Sequence, residues 1–76
     1  MAKPIEPVYR AVGAKIEELR SALGWTQEDL AKRIGLNRTS IVNIEAGRQR
    51  ILLHDAHKIA AAFGVTVKHL MKGIWW

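Results

Sequence analysis

Arg38, Thr39, Val42 and Asn43 share one side of any helix that advances about 100° per residue. Ile41 and Ile44 fall on roughly the opposite side. A helix with only a structural duty would fill its free face with Glu and Lys, which are good helix formers. This face carries a guanidinium, a hydroxyl, an isopropyl group and an amide, gathered toward the helix start. Arg can donate two hydrogen bonds to a guanine edge, and Asn can pair bidentately with adenine. Val42 and the Thr39 methyl can meet a thymine methyl. The chemistry on offer is recognition of base edges in the major groove of double-stranded DNA.

The elements that must position these groups lie in residues 26–47, TQEDLAKRIGLNRTSIVNIEAG. Thr26 is a helix N-cap, with Asp29 three residues on as a weaker form of the capping box. Trp25 before the cap and Leu30 after it make a hydrophobic staple. Leu30, Ala31 and Ile34 give one buried stripe, and Gly35 supplies the left-handed residue that ends the helix. The grammar then repeats, with Leu36, the N-cap Asn37 and Ile41. A second helix follows to Ala46 and stops at Gly47. Two short helices joined by a glycine-containing turn form a helix-turn-helix.

Residues 26–70 resemble, without a gap, the phage-repressor/Cro class of helix-turn-helix domains, often called the Xre family. The matching pieces are Thr-Gln-x-x-Leu-Ala at 26–31, Gly35, Asn-Arg-x-Ser-Ile at 37–41, Ile-Glu-x-Gly at 44–47 and Ile-Ala-x-x-Phe-Gly-Val at 59–65. The resemblance implies an all-α, compact five-helix bundle of the lambda-repressor-like kind that binds DNA as a two-fold dimer. It implies that Gln27 contacts a phosphate, where the helix N-terminus adds N–H groups and partial positive charge. It also implies an ion pair between Arg20 and Glu45 that links the first helix to the reading helix. One departure stands out: the family often places Pro-Ser where this chain has Ile51-Leu52. The fourth helix therefore lacks a good cap, and its start is expected near Leu53. At least one of Ile51, Leu52 and Leu53 is expected to be buried.

Charge supports the same target. The 76 residues carry a formal net charge of +5, which points toward a polyanion. From residue 47 onward Arg48, Arg50, Lys58, Lys68 and Lys72 face Asp55 alone. Arg48 and Arg50 follow the reading helix directly, where a loop meets phosphates. Asn37 and Ser40 join them as backbone-contact candidates, although Ser40 can equally satisfy the start of its own helix. Lys15, Glu17, Glu18, Lys32 and Arg33 read as solvated surface.

Other chemistries are poorly served. No cysteine is present, so the chain offers no disulfide framework, thiolate nucleophile or zinc finger, which suits a reducing cytoplasm. His54, Asp55 and His57 cluster in sequence with His69 further on, but a metal needs at least three convergent ligands. No nucleophile–base–acid set, phosphate-cradling glycine loop or catalytic carboxylate pair is visible. An enzyme, a metal and a cofactor are not expected. No apolar run approaches the ~20 residues of a membrane span, and no signal peptide is seen.

The flanks complete the layout. Residues 1–7 read as an extended arm, with Pro7 near the first position of the opening helix. Val8, Val12, Ile16, Leu19 and Leu23 form that helix's apolar stripe. Residues 8–73 form the domain and 74–76 an apolar tail. After Gly64, Val65-Thr66 and Leu70 open a short fifth helix that is expected to end at Gly73. Phe63, Val65, Met71, Ile74, Trp75 and Trp76 are expected to meet a second copy, because Trp is enriched at interfaces. The reading that follows is a homodimeric regulator of a palindromic operator. The alternative is an antitoxin whose apolar C-terminal surface binds a partner protein.

Overall fold

The computed structural model describes residues 7–74. That range holds five helices: α1 Pro7–Ala22, α2 Gln27–Ile34, α3 Arg38–Glu45, α4 Leu53–Phe63 and α5 Val67–Met71. The arm at 1–6 and the tail residues Trp75 and Trp76 lie outside the described residues.

Each short helix begins where a side chain satisfies its free N–H groups. Thr26 Oγ1 accepts from the Asp29 amide at 3.0 Å while Asp29 Oδ2 accepts from the Thr26 amide at 2.8 Å, a complete capping box. Hydrogen bonding of the Asp29 carboxylate by the Thr26 amide, and next by the Thr26 side chain, holds that carboxyl below the usual carboxylate range. Asn37 caps α3 and Thr66 caps α5 with a single side-chain bond each, to the Ser40 and His69 amides. Helix α4 departs, as the sequence indicated: Leu52 sits at the cap position and makes no side-chain hydrogen bond. Of the apolar run beside it, Ile51 packs on the core, whereas Leu52 and Leu53 are 67% and 80% exposed.

The core is a single cluster. Val12 and Ile16 from α1, Leu30, Ala31 and Ile34 from α2, Ile41 and Ile44 from α3, Ile59 from α4, and Leu70 and Met71 are its buried members. Every helix thus contributes its apolar stripe to one centre.

One expectation needs correction. Leu23 does not extend the α1 stripe, since the helix ends at Ala22. Gly24 turns the chain in the left-handed region (φ 72°) and leaves Leu23 half exposed. Met71, assigned above to a dimer interface, is only 8% exposed within its own chain. The last turn of α5 packs it on the monomer core, with its remaining surface on the cleft between α1, α4 and α5. Ile74 packs partly on that same core.

Helix α1 crosses the end of α3 at a distance that excludes side chains. A Cβ on Gly13 would overlap the Ile44 carbonyl oxygen and lie 2.6 Å from that of Glu45. On the other side of the crossing, a Cβ on Gly47 would lie 2.6 Å from the Arg10 Cα. Helix propensity alone would make Gly13→Ala stabilising by about 1 kcal/mol. Overpacking against backbone costs about 1–3 kcal/mol, and here the obstacles are carbonyl oxygens that cannot rotate away. Gly13→Ala is expected to lower stability, by up to about 2 kcal/mol net, read from the midpoint of denaturant unfolding.

Candidate nucleic-acid interface

Helix α3 is divided lengthwise. Ile41 and Ile44 are 0% and 1% exposed and face the core. On the other side Arg38 and Thr39 are exposed, and Val42 and Asn43 are half-buried. Among the described residues none of these four side chains makes a hydrogen bond within the chain. Their donors and acceptors stay available at the surface.

The backbone-contact candidates surround this face. Asn37 Oδ1 accepts from the Ser40 amide at 2.8 Å, which fixes the cap and leaves the Asn37 Nδ2 group for another acceptor. The half-buried Ser40 lies in the first turn of α3. Arg48 and Arg50 are exposed on the connection that follows Gly47. That connection departs in the left-handed region (Gly47 φ 71°), with the Arg48 amide donating to the Asn43 carbonyl at 2.9 Å.

The far end of α3 is anchored by charge. Arg20 Nε donates to Glu45 Oε2 at 2.6 Å and Nη2 donates to Oε1 at 3.0 Å, a bidentate pair. The third arm, Nη1, donates to the Trp25 carbonyl oxygen at 2.7 Å. Hydrogen bonding to Glu45 raises the Arg20 guanidinium above its ordinary value despite the opposing effect of burial. The two residues that the resemblance pairs are therefore in contact, with side chains 12% and 2% exposed.

Two features escaped the sequence. Gln27 Nε2 donates to Glu45 Oε1 at 3.1 Å, so the expected phosphate ligand also has a partner inside the protein. Arg33, read as solvated surface, lays its guanidinium 4.0 Å above the Trp25 ring, and Trp25 packs on Phe63 at 5.8 Å between ring centroids. Phe63 thereby supports the start of the helix-turn-helix. No fixed spacing in the sequence announces either contact, since both join residues brought together by the fold.

A capped pair of short helices, a free polar face on the second and flanking arginines define a helix-turn-helix DNA-binding domain. Comparison with known proteins agrees. The family model described as Helix-turn-helix (HTH_3) matches residues 16–70, and the chain belongs to that family, the Xre-like class of DNA-binding transcriptional regulators rather than enzymes. An uncharacterized HTH-type transcriptional regulator from Archaeoglobus fulgidus is 41% identical over 56 residues, spanning 74% of this chain and 80% of the relative. Control protein C.BamHI from Bacillus amyloliquefaciens is 38% identical over 60 residues, spanning 78% and 74%. The crystal structure of the restriction-modification controller protein C.AhdI from Aeromonas hydrophila superposes with a TM-score of 0.82 at 31% identity, over 86% of this chain and 98% of that one.

Removing one partner of a buried ion pair costs about 3–5 kcal/mol because the other charge stays behind without compensation. Arg20→Ala is expected to fall in that range by urea denaturation, a large share of the ~5–15 kcal/mol that holds a small domain together.

Proposed function

We propose that this chain is a transcriptional regulator of repressor or controller type that binds a palindromic operator as a homodimer in the cytoplasm. Each subunit places α3 in a major groove, the two grooves about 34 Å apart along the duplex. Arg38, Thr39, Val42 and Asn43 select bases, while Gln27, Asn37, Ser40, Arg48 and Arg50 hold phosphates. The observation that carries this reading is the free side of α3: four side chains with base-reading chemistry opposite two fully buried isoleucines. Selection of bound duplexes from a random pool tests it. A symmetric consensus with two half-sites is expected, and an unbiased pool after selection would refute it.

The two groups of contacts differ in what they control. Arg38→Ala or Asn43→Ala should cost ~1–3 kcal/mol on the selected operator and relax preference at the contacted position. Arg48→Ala or Arg50→Ala should weaken all sequences alike and reduce the slope of log affinity against log salt by about 1 each. Titrations of cognate and scrambled duplexes at several salt concentrations separate the two behaviours.

Support for a second copy comes from the face beside the α4 start. Leu52 and Leu53 project there, next to an apolar cleft of about 260 Å³ between α1, α4 and α5. Val8, Tyr9, Val12, Ile51, Ala56, Val67 and Met71 complete its lining. A knob and a hollow on one surface suit an isologous two-fold contact. Val65 and Phe63 are half-buried on their own chain and are at most the rim. Leu52→Lys is expected to shift the protein from dimer to monomer in sedimentation equilibrium while leaving its helical content unchanged. A dimer that persists would move the interface elsewhere.

A further inference from the structure

The Glu45 carboxylate gathers donors from two helices. Arg20 of α1 supplies two N–H groups and Gln27 of α2 supplies one. Among the described hydrogen bonds, the Gln27–Glu45 contact is the only side-chain bond that joins α2 to α3. Apolar packing also joins these helices, through Leu30 and Ile34 against Ile41 and Ile44. Such packing limits how close they lie, but it tolerates small sliding and tilting. A directed hydrogen bond at 3.1 Å restricts those motions.

Gln27 is at the same time the first residue of α2 and half exposed. A primary amide has two N–H groups and one acceptor oxygen. One N–H is engaged by Glu45, which leaves the other N–H and Oε1 without a partner among the described residues. We infer that Gln27 is a positioning residue for base selection, tying α3 through Glu45 to whatever phosphate its second N–H grips. The inference rests on the DNA-reading role of α3 proposed above. It changes what the phosphate contact does. A contact made by a side chain with no internal partner adds the same affinity to every sequence. A contact made by Gln27 also sets the tilt of α3, and so the reach of Arg38 and Asn43 toward base edges. Displacement of reading groups by a few tenths of an ångström weakens the bidentate bonds on the right base most, because those are the bonds with demanding geometry.

The test is the ratio of affinities for the selected operator and for a duplex changed at one reading position. Gln27→Met keeps the length and volume of the side chain but donates no N–H, and Glu45 keeps both of its bonds to Arg20. The ratio is expected to fall on the order of fivefold, the scale of coupling between residues in one network, with the melting temperature held within a few degrees. Equal losses on both duplexes would reduce Gln27 to a plain phosphate ligand and overturn the inference. Unchanged binding to both would overturn it as well. A second measurement uses the unaltered protein and a scan of single neutral methylphosphonates along the operator. At one position the ratio should drop for the unaltered protein and stay constant for Gln27→Met. Affinity loss without change of ratio at every position would again sink the idea. Failure of the parent reading looks different, because then no sequence is preferred even by the unaltered chain.

Discussion

The buried carboxylate of Glu45 is the constraint on which the arrangement of the helices depends. A charge with a side chain 2% exposed is tolerated only when fully hydrogen-bonded and paired. Its donors come from α1 and α2, and the same guanidinium holds the Trp25 carbonyl at the turn between those helices. One anion thus brings the end of α3, the last turn of α1 and the beginning of α2 to a common point. An apolar substitute of equal volume could match its stability but would not dictate mutual angles. The group is best understood as an orienting device.

Around that point, geometry reinforces electrostatics. The glycine at 13 lets α1 rest against carbonyl oxygens of α3, and the glycine at 47 lets the departing chain rest against Arg10. On the opposite flank, Arg33, Trp25 and Phe63 stack and close the side of α2 toward α4. The stack joins the cap region of α2 to the last turn of α4, so the helix-turn-helix is braced from both sides.

Much of this was legible from the chain alone because the local signals agree with one another. Thr26, Asn37 and Thr66 each declare a helix start, and Gly35 and Gly64 each declare an end. The apolar stripes of α2 and α3 show which faces go inward. The pairing of Arg20 with Glu45 came from family resemblance, since nothing local links residues 25 apart. The Gln27 contact, the Arg33 stack and the folding of Met71 into the core were not legible. Each depends on the distance between helices, which residue periodicity does not encode. Leu23 fits the spacing of the stripe, but Gly24 turns the backbone just beyond it. The leucines at 52 and 53 could be seen as anomalous where a polar cap belongs, but only coordinates reveal that they project outward beside a hollow.

The lengthwise division of α3 has an evolutionary consequence. No atom of the inward isoleucines is shared with the outward quartet, and the anchoring carboxylate sits at the far end of the same helix. If the outward quartet reads bases as proposed, exchanging Arg38, Thr39, Val42 or Asn43 would rewrite the address that the molecule recognises and leave the buried isoleucines in place. On that reading, a lineage built on this frame would drift to new DNA targets in single steps that leave its core intact.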